Sequence, residues 1–155
     1  MRIRGRAILI SSIGLLLLAA ATIMRTSANG YKFQIVSVVL QTEDGLPSTS
    51  FARGHIVVVN VTLRNIMTYT YEYTYGAEPY MVVVRMTYGT TMYGFGAFKG
   101  SLLAGEEANA APGIYIPTGA PTGSYKIKVF VWSNWPRFGG EALADPYELT
   151  FTVTP

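Results

Sequence analysis

The sequence has no cysteine and only one histidine, His55. Without cysteine there is no disulfide, and no thiolate can bind a metal or attack a substrate. A blue-copper site needs one cysteine and two histidines, and Cys–His or Ser–His catalysis needs a histidine base beside the nucleophile. We therefore predict that the protein is not an enzyme and holds no cofactor.

Charged residues are also scarce, at 14% of the chain, where about 25% is usual. The net charge of +3 comes from 12 Lys+Arg against 9 Asp+Glu. Arg2, Arg4, Arg6 and Arg25 surround one N-terminal segment, and removing them leaves 12 − 4 = 8 basic residues against 9 acidic ones. We expect no basic face in the remainder, and therefore no nucleic-acid partner.

The carboxylates do not form a convincing metal site. Calcium takes six to eight oxygen ligands from converging loops. Glu43 and Asp44 lie in one predicted loop, and Glu141 and Asp145 lie in another at the expected opposite end of the domain. We predict no metal site.

The N-terminus has a basic start followed by an apolar run over residues 7–24. As a helix, this run spans roughly 27 Å, slightly less than a bilayer core of about 30 Å. Residues 1–28 are predicted to be a signal peptide or a transmembrane signal anchor, so residues 7–24 contact the membrane. Both fates place residues 29–155 outside the cytoplasm, at the cell surface or secreted.

Residues 29–155 show hydrophobic alternation with period two, interrupted by glycine and proline. We predict an all-β fold, a single antiparallel Ig-like β-sandwich of seven to eight strands preceded by one N-terminal hydrophobic helix. The glycine-rich stretch MYGFGAFKG is expected to be an irregular edge strand. The predicted inward residues of three strands are Val57, Val59, Val61 and Leu63; Tyr125, Ile127, Val129 and Val131; and Leu149, Phe151 and Val153.

Two stretches, FARGHIVVVNVTLRN and IPTGAPTGSYKIKVFVW followed by ELTFTV, carry a family resemblance. They resemble the immunoglobulin-like domains of prokaryotic surface proteins, especially the cell-adhesion-related CARDB type, and the source is expected to be archaeal. The resemblance implies an adhesive or scaffolding module without catalytic residues. A membrane-anchored sandwich is also similar to archaellum stator proteins, and RGR before AILISSIGLLLL is similar to the leader of archaeal type IV pilins.

Alternating tyrosines form a stripe within MTYTYEYTYGAEPY: Tyr69, Tyr71, Tyr73 and Tyr75. One interpretation is an exposed platform for a glycan or a neighbouring subunit, because tyrosine combines a large contact area with a hydroxyl group. The other is that the stripe packs on the outward side chains Phe130 and Trp132 and stabilises the sheet.

Two further candidate sites lie elsewhere in the chain. Trp135, Arg137 and Phe138 fall in a loop at one end of the predicted sandwich, where binding loops cluster; the alternative is a loop that only caps the core. Asn60, in Asn-Val-Thr, is a possible glycosylation site that is expected to face away from the core.

The main functional hypothesis is a non-enzymatic surface module for structure or adhesion that contacts an envelope protein or a glycan. One alternative is a filament subunit, assembled through its helix or by strand exchange at an open sheet edge. Another is a secreted glycan-binding module.

Overall fold

The computed structural model describes residues 30–68 and 76–155. The N-terminal segment 1–28 and the tyrosine stripe, residues 69–75, lie outside the described residues. The described part contains β-strands and one short 3₁₀ turn at Pro136–Phe138. No helix among those residues is long and apolar enough to cross a bilayer.

Nine strands are present in the described part, in two sheets. They are β1 (Phe33–Gln41), β2 (Ser50–Ala52), β3 (Ile56–Asn65), β4 (Glu78–Tyr88), β5 (Thr91–Leu102), β6 (Glu107–Ala110), β7 (Gly113–Tyr115), β8 (Gly123–Trp132) and β9 (Tyr147–Thr154). The four-stranded sheet has the order β1-β3-β6, with β7 also paired to β3. The five-stranded sheet has the order β2-β9-β8-β4-β5.

The core lies between the two sheets and follows the predicted alternation. Val57, Val59, Val61 and Leu63 of β3 are completely buried, and every second residue of β8 from Tyr125 to Val131 is buried as well. Phe151 and Val153 of β9 are buried, and Leu149 is partly buried against the same cluster. The period-two pattern therefore predicted the inner face of these strands correctly.

The prediction of seven to eight antiparallel strands is wrong in two details. The additional strands are β2 and β6, and β2 pairs with β9 in the parallel direction. β2 has three residues and β6 is the sequence EANA, so neither carries an alternating or β-branched pattern. Pairing with a long neighbouring strand holds both in place.

β5 is the predicted irregular edge strand, with a register shift against β4 between Met86 and Thr87. Its glycines also have a second role. A Cβ added at Gly96 would lie 2.6 Å from the carbonyl oxygen of Gly113, and one at Gly94 would lie 2.6 Å from a methyl group of Ile114. The glycines therefore allow β5 to approach β7, so that the two sheets close on this side.

Two buried polar groups connect loops to the strands. The Asn65 side chain donates to the carbonyl of Leu102 at 2.9 Å and accepts from the amide of Met67 at 3.0 Å, so it ties the end of β3 to the end of β5. The Tyr125 hydroxyl donates to the carbonyl of Pro121 at 2.7 Å. This bond ties the start of β8 to the preceding loop, in an arrangement similar to the tyrosine corner known from immunoglobulin-like sandwiches.

Candidate binding face

Three neighbouring strands of the five-stranded sheet present aromatic and basic side chains on their outer side. Because successive strand residues point to opposite faces, the residues between the core positions of β8, β4 and β5 face away from the four-stranded sheet. We call this surface the β8–β4–β5 face. It consists of Lys126, Lys128, Phe130 and Trp132 from β8, Met81, Val83, Arg85 and Thr87 from β4, and Met92, Phe95, Ala97 and Lys99 from β5.

One half of the face is mainly apolar, with Lys99 at its edge opposite Met81. Trp132 lies opposite Met81, and Phe130 lies opposite Val83. The two aromatic rings are 5.3 Å apart between centroids and tilted by 36°. Met81 and Val83 do not belong to the core between the sheets, yet they are only 1% and 7% exposed. Since β4 and β8 each pair with a strand on both sides, hydrogen bonds hold the backbone of this half along both edges.

The other half is basic. Arg85 lies directly opposite Lys128 on one side and Phe95 on the other. The Phe130 ring attracts both cations, with the Arg85 guanidinium carbon 5.8 Å and the Lys128 nitrogen 5.6 Å from its centroid. Phe95 is 59% exposed. Arg85 and Lys128 are thus two like charges on adjacent strands. This arrangement destabilises the fold unless other groups compensate.

Glu148 of β9 provides part of that compensation. Its carboxylate oxygens lie 2.9 Å from the Lys128 nitrogen and 3.2 Å from the Lys126 nitrogen. The hydrogen bonds from Lys128 and then Lys126 lower the pKa of the Glu148 carboxyl below its ordinary value. Because these groups are largely exposed, the ion pairs contribute little to stability and mainly set the local charge.

The distribution of charge contradicts the expectation that no basic face would remain. The described part has eight Lys+Arg and eight Asp+Glu. Four of the eight basic residues, Arg85, Lys99, Lys126 and Lys128, lie on the β8–β4–β5 face, with Glu148 as the acidic residue beside them. The face has a formal charge of 4 − 1 = +3, although the described part as a whole is neutral. The sequence does not reveal this basic face, because its four basic residues lie on three different strands.

The loop after β8 holds the predicted residues Trp135, Arg137 and Phe138. Trp135 is partly buried, whereas Arg137 and Phe138 are exposed, and the guanidinium carbon lies 5.2 Å from the Phe138 ring centroid. The loop is compact because the amides of Phe138 and Gly140 both donate to the carbonyl of Trp135. It begins directly after Trp132, so it extends the apolar half of the face along the chain; whether a partner contacts it stays a prediction.

Asn60 lies in the middle of β3, between β1 and the strands on its other side. It faces away from the core, as predicted, since Val59 and Val61 on either side are buried in it. Its side-chain oxygen is buried and has no hydrogen-bond partner among the described residues. Glycosylation at Asn60 stays a prediction, at a position that is more enclosed than a typical sequon loop.

The remaining predicted sites give no further geometry. The tyrosine stripe Tyr69, Tyr71, Tyr73 and Tyr75 lies outside the described residues, as does the membrane segment 7–24. Within residues 30–68 and 76–155, no group of three or more histidine, cysteine, aspartate or glutamate residues is arranged to hold a metal ion. Phe130 and Trp132 face outward as predicted. Arg85, Lys99 and Phe95 were not identified as site residues from the sequence.

No family model matches this sequence, and no curated protein matches it. Two of the solved structures that are similar in fold illustrate the likeness. The C-terminal domain of Wzt superposes with a TM-score of 0.59 at 10% identity, covering 81% of this chain and 75% of that one. A mutant β-glucosidase from Listeria innocua in complex with laminaribiose gives a TM-score of 0.50 at 15% identity, covering 81% of this chain but 16% of the enzyme. At these identities, the comparisons show a shared β-sandwich fold.

Proposed function

We propose that this chain is a non-enzymatic β-sandwich that lies outside the cytoplasm and binds a glycan through the β8–β4–β5 face. The observation that carries the proposal is the face itself, with two packed rings, an exposed third ring and charged hydrogen-bond donors between them. Aromatic rings offer a flat surface with a negative face, which attracts the polarised C–H groups of a sugar ring. Arg and Lys donate hydrogen bonds to hydroxyl oxygens.

The dimensions of the face fit an extended chain of sugars better than a deep pocket. Phe130 on β8 and Phe95 on β5 are separated by one intervening strand, which places their strands about 10 Å apart. A rigid platform loses little conformational entropy on binding, so weak contacts along an oligosaccharide can add up.

Glycan binding is a specific form of the hypothesis that the protein is a surface module for structure or adhesion. The basic and apolar start of the chain supports export, and the CARDB-type resemblance supports a surface role in adhesion. A glycan-binding face on an anchored domain would attach the cell to an envelope or extracellular polysaccharide. On a released domain, the same face would make the protein a secreted glycan-binding module.

Binding of the full-length chain, in mild detergent, to immobilised polysaccharides tests the proposal. We expect Phe130→Ala and Phe95→Ala to weaken retention, while Tyr115→Ala leaves it unchanged. Tyr115 is a matched control because it is 51% exposed and lies on β7 of the opposite sheet. A Trp135→Ala variant tests whether the loop after β8 contributes to retention separately from the β8–β4–β5 face. Equal retention of all four variants would show that the β8–β4–β5 face is not the binding surface.

The β5 edge supports a second candidate, assembly by strand pairing. β5 is a strand of 12 residues that pairs only with β4 in the described part, with Phe95, Phe98 and Met92 exposed along it. A long, exposed edge offers unpaired backbone groups to another chain. Light scattering of the wild-type chain and an Ala97→Lys variant tests this: concentration-dependent assembly that the added charge abolishes supports it, and a wild type that stays monomeric rejects it.

A further inference from the structure

The β8–β4–β5 face concentrates positive charge in a described part whose total formal charge is zero. Outside the face and its neighbour Glu148, the described residues carry four basic and seven acidic side chains, so the face is cationic while the described part as a whole has no net charge. Such a concentration attracts anions selectively to one surface.

Arg85 and Lys128 are the centre of this charge. They are direct cross-strand neighbours, and both contact the same Phe130 ring. Glu148 pairs with Lys128 from the β9 side. No carboxylate of the described residues lies within ion-pair distance of Arg85, although Lys32, Arg64 and both lysines of β8 have such partners. The Arg85 side chain is exposed and lies beside Lys128.

We propose that Arg85 and Lys128 bind the carboxylate or sulfate group of an acidic glycan whose sugar ring stacks on Phe130. This inference rests on the proposed glycan function and names the class of glycan. The planar guanidinium presents paired N–H donors that match a carboxylate or sulfate, and a lysine adds a mobile charge beside it. The anion also relieves the repulsion between the two cations, which the bare face leaves partly uncompensated.

The number of cations favours an acidic sugar over a nucleic acid. A nucleic-acid site neutralises a row of phosphates, often six to ten of them, and its domain usually has a large basic excess. The face has four cations, of which Lys126 and Lys128 already share Glu148. One or two anionic groups beside an aromatic ring match this arrangement.

Matched polymers and matched variants test the inference. The full-length chain is titrated with dextran and dextran sulfate, with polygalacturonate and its methyl ester, and with a single-stranded DNA oligomer. The sulfate and carboxylate arms distinguish the two sources of negative charge. The variants are Arg85→Gln, Lys128→Gln and, as a control with the same loss of charge, Arg64→Gln, which lies on the outer face of the other sheet.

We expect at least one acidic polymer to bind about tenfold more tightly than its neutral parent, and Arg85→Gln to remove most of that difference while Arg64→Gln keeps it. Raising the salt from about 0.1 M to about 1 M, which shortens the Debye length from about 10 Å to about 3 Å, should also remove it. If acidic and neutral polymers bind equally and only Phe130→Ala loses binding, the inference of an acidic ligand is wrong and the proposed glycan function stands. If no polysaccharide binds, both the acidic-ligand inference and the glycan function are wrong. If the DNA oligomer binds as tightly as the acidic polymers, the face binds polyanions in general and not acidic glycans.

Discussion

Tyr125→Phe is the sharpest test of how this sandwich is stabilised, because it removes one oxygen atom. The Tyr125 ring packs against Tyr88, Tyr93 and Phe151 at centroid distances of 5.0, 5.6 and 5.7 Å, and all these contacts remain in the variant. What is lost is the hydroxyl donor to the Pro121 carbonyl at 2.7 Å. Because this hydrogen bond is only partly buried, its loss should cost about 0.5–1.5 kcal/mol, which for a domain of this size lowers Tm by about 2–5 °C.

Thermal unfolding followed by circular dichroism measures this difference, with Tyr115→Phe as the control. Tyr115 is exposed and its hydroxyl makes no hydrogen bond within the described residues, so its removal should leave Tm unchanged. Equal Tm values for wild type and Tyr125→Phe, or an equal decrease in the control, would refute the assigned role of the corner.

The same residue predicts a dependence on alkaline pH. Burial, followed by the neighbouring Tyr93 and Tyr88, raises the pKa of Tyr125 above 10.0. A raised folded-state pKa means that the unfolded chain loses its proton first, so stability is fully present below about pH 10 and falls as the pH rises through the folded-state value. The decrease in Tm above pH 10 should be shallower in Tyr125→Phe than in the wild type; parallel curves would contradict the shift.

Three further predictions concern closure of the sandwich and the charge on its face. In urea titrations, Gly96→Ala should lower the free energy of unfolding by about 1–3 kcal/mol, because the added methyl group overpacks against the β7 backbone. Gly119→Ala is the control: its added methyl group meets no atom within 4 Å, so the free energy of unfolding should change little. Asn65→Ala should cost about 2–3 kcal/mol in the same assay, because it leaves the buried Leu102 carbonyl and a nearby amide unpaired. Glu148→Gln should make the acid limb of the stability curve slightly shallower: the lowered pKa of Glu148 means that its small contribution is present above about pH 4.5 and lost as the pH falls. An acid limb steeper than that of the wild type would contradict this role.

The sequence predicted the parts of the fold that depend on local alternation. Residues 56–65 and 123–132 carry apolar residues at every second position from Val57 and Tyr125, and these predicted inner positions are the buried ones in the structure. β6 could not be identified because EANA has no strand pattern, and its placement follows from pairing with β3. Parallel pairing of β2 is also a property of the assembled sheet and not of its three residues.

The binding face shows the same limit. The outward row Lys126, Lys128, Phe130 and Trp132 can be seen in the sequence KIKVFVW alone. Its extension to Arg85 and Phe95 cannot, because those residues become neighbours only when β4 and β5 align in a particular register. A one-residue shift would turn Arg85 toward the core. Long-range register, set by the whole core, therefore determines the site.

Isothermal titration of the full-length wild type and of Phe130→Ala with a polysaccharide retained by the wild type tests the central claim most directly. The account predicts that the wild type binds and that Phe130→Ala, still folded at the assay temperature, loses most of the affinity, while Tyr115→Ala binds like the wild type. Undiminished affinity in Phe130→Ala would contradict the claim that the outer face of the five-stranded sheet is the glycan-binding surface.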